Sequence, residues 1–364
     1  MFSRLFGQIA RSNSLTSTFV FAANLTSSGI RAKSEMSPEK PTEEENRANC
    51  SSAQLIVDKF DEIEKDRQWF PTFVKLQDDS DAQEQELQFS YTHALSTKNQ
   101  AKNRYCNVVP YDHNRVILSN PNDYINASPI NVEWTGGSYI FTQGPLPQTS
   151  GDFWTMVWEQ NSRIIVMLST CIEHDSIKCH DYFPTSKENT KKYGNFVVEL
   201  VNETENGSYV VRELELKLKK NKKTETRTVH HLQFIKWADF DVPELNVFMD
   251  FVEAVRDLDD SMDEKTPIVS HCSAGIGRTG TFAICDIFLS ALRQNKTENF
   301  PQITELVLEL RKSRMWLIQT PPQLRFGWQA ICEWLRRFGC VRNVTDEVEE
   351  PKEESVAENE SVVN

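Results

Sequence analysis

The chain has 364 residues, 39% of them apolar, enough for one large domain or two small ones with a sizeable core. Its formal charge of −13 is uneven, residues 345–364 holding eight acids and one lysine, and the acidic balance argues against general nucleic-acid binding. Eight cysteines without regular spacing argue against a disulfide framework or zinc site, and no apolar run approaches a bilayer span, Phe19 to Ala23 being far too short.

Residues 1–34 carry Arg4, Arg11, Arg31 and Lys33, many Ser and Thr, and no acid, the composition of a mitochondrial transit peptide and equally of a disordered tail. Residues 35–50, acidic and with Pro38 and Pro41, read as a linker, so that 1–51 form a disordered or targeting segment. From about residue 52 the pattern is helical, with Leu55, Ile56, Phe60 and Ile63 on one face. Residues 85–105 are polar and irregular. Strand-like runs follow at Val116–Leu118, Ser138–Thr142, Ile164–Leu168, Phe196–Val201, Tyr209–Lys219 and Thr224–Ile235. In the fifth, Glu213, Glu215 and Lys217 alternate with Leu214, Leu216 and Leu218, the period of a half-buried strand. Lys220 to Lys223 reads as a solvated hairpin tip. Helical periodicity returns at Leu245–Leu258, Phe282–Arg293, Thr304–Arg311 and Gln323–Arg337. The acidic stretch 343–364 lacks aromatics and reads as a disordered tail. One domain is expected over 52–342, an α/β fold with a twisted mixed β-sheet flanked by helices.

The run His271-Cys272-Ser273-Ala274-Gly275-Ile276-Gly277-Arg278-Thr279-Gly280 joins a strand-like segment (267–270) to a helix-like one. Such a loop can wrap backbone N–H groups around an anion at a helix N-terminus. Gly275, Gly277 and Gly280 allow positive φ and close backbone approach. The amides and helix dipole favour a thiolate at Cys272. Arg278, six residues on, can hold two phosphate oxygens at once, which lysine cannot. Cysteine with arginine at that offset is weak alone, but the glycines and the strand–loop–helix context sharpen it: nucleophile, oxyanion cradle and clamp suit attack on phosphorus.

This loop closely resembles the signature of the cysteine-based, phosphotyrosine-specific protein tyrosine phosphatases, and the similarity runs through most of residues 55–340. Lys102-Asn103-Arg104-Tyr105 resembles the family's phosphotyrosine-recognition loop. Asp123-Tyr124-Ile125-Asn126-Ala127-Ser128 and Thr142-Gln143-Gly144-Pro145-Leu146-Pro147 resemble its scaffold motifs, and Phe153-Trp154 with Val157-Trp158 fit the helix that follows. Trp237-Ala238-Asp239 resembles its mobile acid loop, and Gln319-Thr320-Pro321 opens its glutamine loop.

The resemblance implies a single catalytic domain of non-receptor type that hydrolyses phosphotyrosine through a cysteinyl-phosphate. Cys272 is then the nucleophile, Arg278 the clamp and Asp239 the general acid, later the base. Gln319 positions water, with Gln323 as helper. Thr279 stabilises the sulfur, and His271 tunes it. The Ser273, Ala274, Gly275, Ile276 and Gly277 segment cradles phosphate. Glu173 steadies Arg278, and Lys178 approaches the acid loop. Tyr105 walls the pocket, Asn107 contacts the substrate backbone and Phe240 closes over the ring. No metal or cofactor is implied. Partners are phosphotyrosine-containing proteins, with no nucleic acid and no integral membrane segment, and a monomer is expected. A reducing compartment suits the thiolate, hence a cytoplasmic enzyme, with mitochondrial targeting by residues 1–34 as the alternative.

Two positions depart from the family pattern. Ala238 stands where proline is usual, and proline narrows a loop's ensemble, so reduced turnover is expected. Trp316 stands where a smaller residue is common and should narrow the pocket entrance, unless it is a core side chain. The first departure motivates a different reading, a phosphotyrosine-binding module that traps substrates with little turnover. A dual-specificity or phosphoinositide phosphatase is a third, against which the Tyr105 loop speaks.

Overall fold

The computed structural model describes residues 43–220, 223–237, 242–297 and 299–341. Its helices are α1 (Glu43–Lys65), α2 (Trp69–Glu86), α3 (Thr92–Leu95), α4 (Thr97–Gln100), α5 (Ser150–Glu159), α6 (Leu245–Asp260), α7 (Gly277–Arg293), α8 (Ile303–Arg311) and α9 (Pro321–Arg337). Its strands are β1 (Ala127–Val132), β2 (Gly137–Thr142), β3 (Ile164–Met167), β4 (Ile172–Glu173), β5 (Ser176–Ile177), β6 (Thr190–Tyr193), β7 (Phe196–Glu205), β8 (Tyr209–Lys220), β9 (Lys223–Phe234) and β10 (Ile268–His271).

Among the described residues eight strands form one mixed sheet in the order β1-β2-β10-β3-β9-β8-β7-β6, and β4 with β5 makes a separate hairpin. The central strands β2, β10, β3 and β9 run parallel, with antiparallel pairs on either side. Every residue of β3 and β10 is buried, as expected where both faces of a sheet are covered, and β3 is a continuous apolar run. Successive side chains divide between the two faces. Ile164, Val166 and Ile268 pack into a core with α1, α2, α6, α7, α8 and α9. Ile165, Met167 and Val269 pack on the other side against Phe153, Trp154 and Val157 of α5. The expected twisted mixed sheet with helices on both sides is what the chain forms. Because β10 is parallel and central, the loop after it opens at the carboxyl edge of the sheet, where open α/β sheets bind ligands.

Several local expectations need correction. The helix starting inside the signature run begins at Gly277, five residues before the periodicity at Phe282, because glycines and Arg278 hide the apolar pattern in its first turn. α1 starts at Glu43, within the stretch read as a linker. Val116–Leu118 is no strand and makes only an isolated bridge between Ile117 and Tyr124. α2 left little trace in the sequence, since it is rich in Asp, Glu and Gln and buries only Leu76 and Ser80. Lys220 does face Lys223 across β8 and β9, whereas the tip residues 221 and 222, the segment 1–34 and the tail 343–364 lie outside the described residues.

Candidate active site

The chain leaves β10 at His271, turns through 272–276 and enters α7 at Gly277. The turn fits only because of two glycines. Gly275 has φ +71°, and a Cβ there would lie 2.0 Å from the Thr142 carbonyl oxygen; a Cβ on Gly280 would lie 2.4 Å from the Ile318 amide nitrogen. Gly277 is not in the left-handed region, so the expectation of positive φ holds for Gly275 alone of the three.

This geometry points amides inward and carbonyls outward. The Gly275 N–H donates to Cys272 Sγ at 3.3 Å. The outward carbonyls need donors, and Arg314 supplies them: its guanidinium donates to Gly275 O at 2.8 Å and Ala274 O at 3.0 Å, and also to Asn126 Oδ1 at 3.0 Å and Ser128 Oγ at 3.3 Å. Arg314 is fully buried, and burial pushes its pKa down to about 10, opposed by Tyr124 and Cys272. Arg314→Met should therefore leave several buried acceptors unpaired and cost about 3 kcal/mol or more of stability. A urea midpoint giving a loss below about 1 kcal/mol would show that the loop holds its shape without this residue.

Cys272 is buried beneath the loop. Burial favours the thiol, but the Thr279 side chain, the Arg278 charge and the Thr279 and Gly275 amides together outweigh it, and the thiol lies below its ordinary value. Thr279 Oγ1 has no partner of full hydrogen-bond geometry among the described residues, so its proton is free to turn toward the sulfur. Iodoacetamide should accordingly alkylate Cys272 with a midpoint below about pH 8.5, the rate rising with pH as thiolate forms. A midpoint at or above that value in the folded protein would remove the activated thiolate.

His271 lies behind the loop, fully buried, and burial lowers its pKa to about 4, so it is neutral near pH 7. Its Nδ1 contacts the Cys272 carbonyl at 3.1 Å and its Nε2 the Tyr182 hydroxyl at 2.7 Å. A carbonyl only accepts, so Nδ1 carries the proton and Tyr182 donates to Nε2. Tyr182 has one proton, so His231 Nε2, 2.9 Å from the same oxygen, must donate to it. His231 Nδ1 is then left to accept from Arg212, whose guanidinium nitrogen is 3.4 Å away. A single direction of donation thus runs from Arg212 through two neutral histidines to the Cys272 carbonyl.

Arg278 sits in the first turn of α7. Its two terminal nitrogens meet the two oxygens of Glu173 at 2.6 and 2.9 Å, and one also reaches Leu168 O at 3.2 Å. Glu173 comes from the β4–β5 hairpin, whose turn residues His174 and Asp175 both have positive φ. Tyr105 stands at the mouth, 38% exposed, its hydroxyl 2.9 Å from Ser273 Oγ. Ser273 in turn donates to Lys178 O at 2.9 Å. The recognition loop is fixed from below. The Gln143 side-chain amide accepts from Arg104 N at 2.7 Å and donates to Lys102 O at 2.8 Å. The Arg104 guanidinium donates to Gly144 O, Pro145 O and Ile177 O.

Gln319 is delivered by an unusual turn. Trp316 and Ile318 adopt φ of +54° and +64°, a conformation costly for side chains of their size. Arg311, also buried, holds the turn by donating to Leu317 O and Ile318 O at 3.0 Å each. Gln323, in the first turn of α9, accepts from the Gln319 amide at 2.9 Å.

These elements enclose a cavity of about 690 Å³ lined by Tyr105, Asn107, Val108, Glu173, Lys178, Cys272, Ser273, Ala274, Gly277, Arg278, Trp316, Gln319, Thr320, Pro322 and Gln323. Of the seventeen residues that the resemblance places in the site, eleven converge on it. Gly275, Ile276, Thr279 and His271 lie beneath its floor, buried. Trp316 lines the mouth and packs beside the Tyr111–Tyr124 cluster. Asp239, Phe240 and Ala238 lie outside the described residues; Trp237, which precedes them, is buried, with the Arg278 guanidinium 5.9 Å from its ring centroid. Arg314, Tyr182 and Arg311 went unnoticed in the sequence, since an isolated Arg or Tyr gives no sign of which distant carbonyl it serves.

The protein-tyrosine phosphatase profile matches residues 99–333. The chain belongs to the protein-tyrosine phosphatase family. It is 41% identical over 283 residues to the human tyrosine-protein phosphatase non-receptor type 2, covering 76% of this chain and 65% of that protein. It is 38% identical over 281 residues to the Drosophila melanogaster tyrosine-protein phosphatase non-receptor type 61F, covering 76% and 50%. A Caenorhabditis elegans tyrosine-protein phosphatase Lar-like is 39% identical over 251 residues, covering 67% of this chain and 11% of that protein. The chain thus spans a little under two thirds of the length of the human relative. The family resemblance carried by the sequence motifs is borne out, and with it the phosphatase fold. Among the described residues no helix is long and apolar enough to cross a membrane.

Proposed function

We propose that this phosphatase-family chain hydrolyses phosphotyrosine in proteins through a cysteinyl-phosphate. The observation that carries the reading is the Gly275 amide aimed at Cys272 Sγ while Glu173 holds the Arg278 fork at the rim of the same cavity. In the first step the Cys272 thiolate attacks phosphorus, the P–O bond to tyrosine breaks, and Asp239 gives its proton to the leaving phenolate. Arg278 and the amides of 273–279 hold the equatorial oxygens, where charge spreads in the transition state. In the second step water, oriented by Gln319 and Gln323, loses a proton to Asp239 and attacks the phosphocysteine, and the S–P bond breaks. Thr279 donates to the departing sulfur. Tyr105 sets the pocket depth, so that a phosphotyrosine reaches the thiolate and a phosphoserine falls short. Asn107 and Lys178 serve the peptide backbone and the acid loop. The enzyme acts as a cytoplasmic monomer, unless residues 1–34 direct it to mitochondria.

The experiment is phosphate release from a phosphotyrosine peptide beside a phosphoserine peptide of the same sequence. Release from the first alone is expected. Equal release from both would favour dual specificity, and release from neither with tight binding of the first would leave the trapping module, the reading that Ala238 motivates. If Ala238 widens the acid loop's ensemble, Ala238→Pro should raise kcat about two- to fivefold, the equivalent of about 0.4–1 kcal/mol. Unchanged or lower kcat would count against that account of position 238.

A further inference from the structure

The β4–β5 hairpin touches the signature loop twice, through Glu173 on Arg278 and through the Lys178 carbonyl on Ser273. Its stem contains two cysteines that the mechanism leaves unused. The amides of Lys178 and Cys179 both donate to the single carbonyl of Cys171, at 2.9 and 3.3 Å. Two successive residues opposing one is the pattern of a β-bulge, and it turns Cys179 toward the side that Cys171 occupies. Both side chains indeed join the same apolar cluster, Cys179 within it and Cys171 packed against it. Residues opposed across an antiparallel ladder have Cα atoms about 4.5–5.5 Å apart, inside the roughly 4.4–6.8 Å that a disulfide spans. Both thiols are free in the structure.

We infer that Cys171 and Cys179 form a reversible disulfide across the hairpin stem, and that closing it loosens the hairpin's hold on Arg278 and Ser273. The oxidant is a low-molecular-weight disulfide such as oxidised glutathione. Cys171, the partly exposed thiol, loses its proton and attacks one sulfur of glutathione disulfide, expelling a glutathione thiolate. Cys179 then loses its proton and attacks the Cys171 sulfur, expelling the second. Two protein thiols are oxidised and one glutathione disulfide is reduced to two thiols, the released protons passing to the leaving thiolates. Cys179 Sγ now points to its own neighbour, His180 O, at 3.2 Å. It must rotate toward Cys171, and the strand that carries the Lys178 carbonyl moves with it. Burial raises both thiols, Cys171 to about 11, and Cys171 lies in the electrostatic neighbourhood of Cys179. Exchange is therefore slow at neutral pH and quickens as pH rises.

The site rests on the stem geometry alone; its effect rests on reading the cavity as an oxyanion site, as the proposed function does. Cys272→Ser protein, which lacks the competing nucleophile, is incubated with oxidised glutathione at pH 8.5, alkylated, and digested with trypsin. Cleavage after Lys178 separates the two cysteines into peptides 164–178 and 179–187. The expected result is a linked pair that separates on reduction, together with about tenfold weaker tungstate binding, restored by reductant and unaffected by oxidised glutathione in Cys171→Ser/Cys272→Ser. Recovery of both peptides alkylated, or each carrying only glutathione, would overturn the site. A linked pair with unchanged tungstate affinity would overturn the coupling. Neither readout uses phosphotyrosine, so failure of the phosphotyrosine-peptide assay is a separate result.

Discussion

Cys272→Ser should abolish phosphotyrosine hydrolysis, by on the order of 10⁴-fold or more, while leaving phosphopeptide binding within a few fold. The two effects separate because the loop divides its work. The sulfur alone supplies the electron pair that forms the bond to phosphorus, and a serine hydroxyl in that position stays protonated, since amides and one guanidinium cannot bring an alcohol near neutrality. The groups that hold the phosphoryl oxygens, the Gly275 amide and the Arg278 fork, remain in place. Serine is also close in size, and position 272 is buried, so the loop has little reason to rearrange. Single-turnover assays and calorimetry on one protein preparation check both halves. Residual turnover above about 1% of wild type would put the nucleophile elsewhere.

Arg278→Lys should lower kcat/KM about 10²- to 10³-fold, although the charge is kept. Glu173 holds the guanidinium by two parallel contacts, which fixes the plane in which its other edge meets a ligand. An ammonium is a point charge without that plane. It can neutralise Glu173 or reach a phosphate oxygen, but it cannot orient one by the other. Both kcat and peptide affinity should therefore fall, unlike the pattern for Cys272→Ser. The Glu173 side chain is only 8% exposed, so some stability is lost as well, and a melting curve separates that loss from catalysis. A kcat within threefold of wild type would mean that charge alone suffices and that the fork geometry is incidental.

The same contrast between local and distant causes explains how far the sequence could be read. The strands β3 and β8 declare themselves because burial on both faces or on one writes a continuous or an alternating pattern into consecutive residues. The cavity's cysteine and arginine were legible for a similar reason: they lie six residues apart on one strand–loop–helix unit. Glu173, Tyr105 and Gln319 became candidates only through resemblance, since nothing in their neighbours says that they meet Cys272. Arg314 and Tyr182 were silent altogether. Each acts on a backbone carbonyl or a buried imidazole more than 30 residues away, and a hydrogen bond of that kind leaves no periodicity. The left-handed turn at Trp316 and Ile318 was equally invisible, because bulky residues do not advertise positive φ; Arg311 ties down its carbonyls, and the Ile318 amide donates to Ile276 O.

By itself, then, the order of residues determined the family, the mixed sheet and the chemistry of the loop after β10, all of which depend on short-range pattern and local chain geometry. The packed fold decided which way the Cys272 loop turns its amides, which proton each buried histidine keeps, and that the β4–β5 hairpin brings Cys171 and Cys179 to one side of the stem that positions Arg278. Those properties depend on partners far away in the chain, so they arise only once burial has forced every polar group to find one.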